Sequence, residues 1–159
     1  MPSARPLLTI LMSLTRPAAA IQPGCEHFRD VMEKSPAPHL LVIDDESLIR
    51  WSIAETLIHS GWVVTEAANA SGALERLAVP PAPDVILLDY RLPDSNDLTL
   101  LETIRRRGPD IPIIMMTAYE TPAMHAGALA LGAHLVVSKP IEMGTLVPLV
   151  RHAYDARAR

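Results

Sequence analysis

The run Val85-Ile86-Leu87-Leu88-Asp89-Tyr90-Arg91-Leu92-Pro93-Asp94, residues 85–94, decides how the rest of the chain is read. Its first four residues are apolar without interruption, as expected of a strand covered on both faces, and the run ends in an acid. The same phrase recurs on either side. Leu40-Leu41-Val42-Ile43 leads into Asp44-Asp45, Ile113-Ile114-Met115-Met116 into Thr117, and Leu135-Val136-Val137-Ser138 into Lys139. A further strand, over 62–67, is β-branched.

Helical patterns fill the intervals. Glu46 to Ser60 places Ile49, Ile53 and Leu57 on one face, and Ser60-Gly61 ends it. Ser71–Ala78 is a short helix, followed by a stiff connection through Pro80, Pro81 and Pro83. Leu98–Arg107 forms a third helix, closed by Gly108-Pro109. Thr121-Pro122 opens a fourth, with proline at its first position, and Gly132 stops it. A last helix follows Pro140; if it begins near Thr145, Pro148 falls harmlessly in the first turn, and if earlier, Pro148 kinks it. The first strand is expected over 39–44 and the fourth over 111–117. Five βα units in about 120 residues predict an α/β fold. It is a doubly wound, five-stranded parallel sheet of flavodoxin-like order 2-1-3-4-5, with helices on both faces.

In such a sheet the carboxyl ends of the strands form the mouth of the site. Asp44, Asp45, Asp89, Thr117 and Lys139 therefore gather at one edge. Three carboxylates so close repel one another, and a divalent cation relieves the repulsion. Magnesium suits this set, because it takes oxygen ligands and needs few carboxylates when a phosphate shares the site. The pattern points to metal-assisted phosphoryl chemistry. Alone, Asp44-Asp45 would read as a solvated turn, with Asp45 as a helix cap; the joint spacing carries the argument.

Composition narrows the alternatives. The chain has 159 residues, 49% hydrophobic and 20% charged, with net charge -4, enough for one domain plus some excess. Residues 1–38 hold four bases and three acids; the remainder holds ten bases and fifteen acids. That acidic balance argues against direct nucleic-acid binding. Cys25 is the lone cysteine, which excludes an intrachain disulfide and a cysteine-rich zinc site. The chain has twelve arginines and two lysines, Lys34 and Lys139. From residue 39 onward Lys139 stands alone against nine arginines, where arginine's planar fork would be a poor substitute for a compact ammonium. His125, His134 and His152 lack a metal-ligand spacing and read as surface or half-buried residues. Arg105-Arg106-Arg107 suits a helix C-terminus.

Residues 1–38 are expected to be an N-terminal extension, disordered or a mis-assigned start. Leu7–Leu14 loosely imitates a signal peptide but is too short to span a membrane, and no membrane association is expected. A start at Met32 is the simpler reading, with Ser35-Pro36-Ala37-Pro38 as a linker.

Residues 39–157 resemble the receiver domain of bacterial two-component response regulators. The stretches that carry the resemblance are Leu-Leu-Val-Ile-Asp-Asp-Glu, Val-Ile-Leu-Leu-Asp-Tyr-Arg-Leu-Pro-Asp, Ile-Ile-Met-Met-Thr-Ala-Tyr and Val-Ser-Lys-Pro. The resemblance implies that Asp89 accepts a phosphoryl group from a sensor histidine kinase or a histidine phosphotransfer protein. It also implies Mg²⁺ on Asp44, Asp45, Asp89 and the backbone carbonyl of Arg91. Lys139 pairs with the aspartyl phosphate, Thr117 donates a hydrogen bond to it, and the Lys139–Pro140 peptide is cis. A cytoplasmic location, a downstream effector protein and a homodimer as a further partner also follow from the resemblance. The chain would be a signalling domain and not an enzyme.

Departures from the pattern concern the output. Val136 stands three before the lysine, where relatives carry an aromatic switch, and Tyr119 is the candidate substitute. Asp97 replaces a common glycine, and Ile141 a common phenylalanine. Two other readings compete: the receiver fragment of a longer DNA-binding regulator, and an aspartyl-phosphate hydrolase. The hydrolase wants an acid two residues after the nucleophile, where Arg91 stands. Mass spectrometry of the protein from its native host is expected to find no peptide upstream of Met32; one such peptide would overturn the internal start.

Overall fold

The computed structural model describes residues 36–157. The expectations placed on Leu7–Leu14, Cys25, Met32 and Lys34 lie outside the described residues. The strands are β1 (His39–Ile43), β2 (Val63–Ala67), β3 (Val85–Asp89), β4 (Ile113–Thr117) and β5 (Leu135–Ser138). The helices are α1 (Ser47–His59), α2 (Ala70–Leu77), α3 (Thr99–Arg107), α4 (Pro122–Ala130) and α5 (Met143–Arg157). All strand pairs are parallel, in the order β2-β1-β3-β4-β5 that the alternation predicts.

Side chains alternate across a strand, so consecutive apolar residues serve two cores. Leu41, Ile43, Ile86, Leu88, Ile113 and Met115 face α2, α3 and α4. Leu40, Val42, Val85, Leu87, Ile114 and Met116 face α1 and α5. Every residue of β3 and β4 is buried, which is why their sequences never alternate with polar residues. Each Leu or Ile so buried contributes about 1.5–3 kcal/mol.

Local chemistry sets the boundaries. At the end of α1, Trp62 N–H donates to Leu57 O at 3.1 Å and Gly61 N–H to Ile58 O at 3.0 Å, with Gly61 at φ 88°. Gly132, φ 91°, closes α4 with the same pair of bonds. This helix stop needs a left-handed residue, and glycine adopts that conformation without a Cβ clash. Thr121 caps α4 by accepting Met124 N–H, and Pro122 occupies its first turn. The fourth strand starts at Ile113, two residues later than expected. Ile111 N–H turns back to Gly108 O at 3.3 Å, and Pro112 offers the sheet only its carbonyl, to Ile86 N–H. Arg105 is more than a charge at a helix end. Its guanidinium donates to the carbonyls of Pro109, Ile111 and Gly132, joining the end of α3 to the end of α4.

The last helix begins at Met143, so Pro148 lies past its first turn. Proline has no N–H, so the bond that would run back to the Gly144 carbonyl is missing. Pro148→Ala is expected to stabilise the domain by about 1–3 kcal/mol, the restored bond being partly offset by a freer unfolded chain. Urea unfolding checks this, and an unchanged or lowered midpoint would contradict it.

Candidate functional site

The parallel order delivers the predicted residues to one edge. Asp44 follows the last residue of β1, Asp89 ends β3, Thr117 ends β4 and Lys139 follows β5. Ser138 pairs with Thr117 in the sheet, and Lys139 N–H donates to Thr117 O at 2.7 Å. The Lys139–Pro140 peptide is cis, as the resemblance implied.

The centre of the site is an ion triad. Lys139 Nζ donates to Asp89 Oδ2 at 2.7 Å and to Asp44 Oδ2 at 2.8 Å. Asp44 is fully buried and Asp89 is 6% exposed. Two carboxylates withdrawn from water need a cation between them, and the ammonium supplies it. Burial pushes the Asp89 carboxyl above its ordinary pKa, although Lys139 and the Arg91 N–H pull it down. Burial also works against the charge on Lys139, but its hydrogen bonds to Asp44 and Asp89 outweigh this and hold the ammonium above its ordinary value.

Carboxylate oxygens of Asp44, Asp45 and Asp89 all lie within 4.8 Å of one another, and Asp45 is the exposed member. Three hard oxygen donors at that spacing fit a divalent cation such as Mg²⁺. Arg91 is exposed on the loop after β3, and its N–H donates to Asp89 Oδ1 at 3.3 Å. Asp45 is not a helix cap. Glu46 holds that position in α1 without a side-chain bond, and Asp44 Oδ1 accepts the Glu46 N–H instead.

Thr117 is 1% exposed, and its hydroxyl oxygen already accepts Tyr119 N–H at 3.1 Å. What the hydroxyl still has to offer a ligand is its own hydrogen. Val136 is buried beneath α3 and α4 and leaves no aromatic to move. Tyr119 is 69% exposed, with the Arg91 guanidinium 5.2 Å from its ring centroid. Such a contact in water is worth about 0.5–1 kcal/mol.

Several neighbours went unread in the sequence. Glu46 brings a fourth acid, 3.8 Å from Lys139 Nζ. Glu120 joins the Ser138 hydroxyl to the His125 ring, tying the loop after β4 to the end of β5. Asp94 accepts the N–H groups of Ala70 and Ser71 and the Ser71 hydroxyl, anchoring the loop after β3 to the start of α2. Asp97 accepts Thr99 N–H at the start of α3, a use that glycine could not serve. Adjacency to the acid pair was the one signal that could have marked Glu46. The Asp94 contacts and the Glu120–Ser138 bond span segments far apart in sequence.

A family model described as "Response regulator receiver domain" matches residues 40–151. The chain is 38% identical over 112 residues to the DNA-binding transcriptional regulator NtrC of Escherichia coli K12, covering 70% of this chain and 24% of that protein. The chain thus spans about a quarter of the length of that curated relative. A receiver domain protein (CheY-like) from Methanospirillum hungatei superimposes with a TM-score of 0.73 at 26% identity, covering 77% of this chain and 97% of that one. NtrX from Brucella abortus gives a TM-score of 0.71 at 28% identity, covering 77% of this chain and 28% of that one.

The raised Asp89 pKa has a consequence for stability. The folded state holds this proton more tightly than the unfolded chain. The contribution is therefore present below the unfolded pKa and is lost as pH rises through the folded one. Asp89→Asn lacks the titration. Without metal, the wild-type stability minus that of Asp89→Asn is expected to fall as pH rises above the ordinary carboxylate range of about 4. Chemical unfolding at each pH measures it, and a constant or rising difference would contradict the burial argument.

Proposed function

The chain belongs to the response regulator receiver domain family, and we propose that Asp89 is its phosphoacceptor, receiving a phosphoryl group from a phosphohistidine on a sensor kinase or phosphotransfer protein. The observation that carries this reading is the triad: a buried carboxylate held by Lys139 beside two further acids. An Asp89 oxygen bonds to phosphorus as the histidine nitrogen–phosphorus bond breaks, and the imidazole leaves as the donor's side chain. Asp44, Asp45, Asp89 and the Arg91 carbonyl would hold Mg²⁺, which when bound neutralises charge on the phosphoryl oxygens.

The chain's own groups do the rest. Lys139 is already within reach of Asp89 and follows the new charge onto the phosphoryl oxygens with a small movement. Thr117 turns its free O–H hydrogen toward them, and the loop from Ala118 to Glu120 moves with it. Because the hydroxyl oxygen also holds Tyr119 N–H, that motion reaches Tyr119 directly and bypasses Val136. The phosphodonor is a protein in this reading. Leu48 and Trp51 stand exposed on α1, and Leu48 lines a groove of about 280 Å³ that reaches Lys139.

The receiver spans residues 39–157 in this proposal. It acts in the cytoplasm, on effector proteins and with homodimerisation as one route of output, and not on nucleic acid or membrane. No helix among the described residues is long and apolar enough to cross a membrane. Its chemistry is confined to gaining and losing its own phosphoryl group.

Incubation of the chain with Mg²⁺ and a small acyl phosphate is expected to add one phosphoryl group, and none to Asp89→Asn. A labelled Asp89→Asn protein would overturn the assignment. Lys139→Ala is expected to keep some phosphorylation while the amide resonances around Tyr119 and Glu120 stay at their resting positions. A wild-type response there would remove Lys139 from the switch.

A further inference from the structure

Arg50, on the first turn of α1, touches none of the reacting groups, yet its guanidinium grips the backbone that carries them. Its Nη1–H donates to the Asp44 carbonyl at 2.6 Å, and its Nε–H to Glu66 Oε2 at 3.0 Å. The Arg50 side chain is 17% exposed and that of Glu66 43%. Glu66 lies on β2, opposite Val42 of β1, so its position is fixed by the sheet.

The gripped carbonyl sits where control of the chain is needed. β1 ends at Ile43, so the Asp44 carbonyl lies beyond the strand ladder. The Asp44 N–H is held by Ala67 O at 3.1 Å, and the Asp44 carboxylate by Glu46 N–H and Lys139. The peptide that follows is planar, so fixing its oxygen fixes the direction in which the Asp45 Cα departs. Asp45 is the exposed acid of the cluster, and its carboxylate must point back toward Asp89 to share a cation.

We propose that Arg50 is a positioning residue for cation binding: by holding the Asp44–Asp45 peptide it turns the Asp45 carboxylate toward Asp44 and Asp89, with Glu66 steering the guanidinium. The inference rests on the reading of the acid cluster as a Mg²⁺ site. It carries a sign that simple electrostatics does not share. A nearby positive charge repels Mg²⁺, so removing it would by itself tighten binding. Loss of a positioning contact weakens binding instead.

Calorimetric Mg²⁺ titration of the full chain at fixed ionic strength distinguishes these. Arg50→Gln and Arg50→Lys are both expected to weaken Mg²⁺ binding roughly 10-fold, the usual scale for losing a group that orients a metal ligand. Lysine keeps the charge but cannot make both contacts. Glu66→Asp, which keeps both charges but draws the carboxylate back from the Arg50 guanidinium, is expected to weaken binding less, and it serves if the Arg50 variants do not fold. Phosphorylation by a small acyl phosphate is expected to regain the wild-type rate at saturating Mg²⁺ in all three. Wild-type or tighter Mg²⁺ affinity in these variants would overturn the inference while leaving the metal site standing. A rate that saturating Mg²⁺ does not restore would also overturn it, since the defect would then lie beyond cation binding. A wild-type chain that binds no Mg²⁺ would instead remove the reading on which the inference rests.

Discussion

The ammonium of Lys139 is the interaction on which this site depends. Asp44 and Asp89 are withdrawn from water within a few ångströms of each other, and two carboxylates so placed repel each other unless a cation lies between them. Lys139 sits between them with two short hydrogen bonds. The resting domain therefore carries its own counterion. A divalent cation at the cluster would share its carboxylates with a charge already in place, which would limit its affinity. In the proposed reading, the ammonium that neutralises Asp44 and Asp89 is also the group placed to meet a phosphoryl group on Asp89.

Everything else serves to hold that ion triad. The sheet delivers each member to the same edge because all five strands are parallel and each strand's apolar residues are anchored in two cores. Hydrogen bonds then fix the loops that extend past the strand ends. Arg50 holds the exit from β1, Asp94 holds the loop after β3, and Glu120 joins the loop after β4 to β5. The contacts of Asp94 and Glu120, and the Arg50–Glu66 pair, cross from one βα unit to another, so these loops are fixed only when the units are assembled.

What could be read from the sequence follows from this division. Strand identity, strand order and the five central residues were legible because each strand is covered on both faces and each reactive group lies at a strand end. Helix stops at Gly61 and Gly132 were legible because they depend on neighbours in the chain. The start of β4 was misplaced because apolar Ile111 looks like strand, although it folds back on Gly108 and Pro112 has no hydrogen to give. Arg105 looked like one of three equivalent charges, yet it clamps three carbonyls, one of them 27 residues away. Glu46, Arg50, Asp94 and Glu120 escaped notice because ordinary surface-type residues acquire their roles from distant partners. The bond that the Thr117 hydroxyl accepts from Tyr119 N–H depends on a turn that composition does not reveal.

The contrast between β3 and its flanking loops sets two clocks. Every residue of β3 and β4 is buried, whereas Arg91, Tyr119 and Glu120 are exposed. Deeply packed strands open only when the whole domain unfolds, while exposed loops rearrange in nanoseconds to microseconds. Asp89 thus keeps its place for the lifetime of the fold, and under the proposed function the residues around it would resample their positions many times within one phosphorylated interval. The domain writes its message on a static element and displays it on a restless one, so what a partner reads is a time-averaged bias among loop positions. The duration of the message would then be a property of the acyl phosphate bond, and its legibility a property of how far that bias departs from rest.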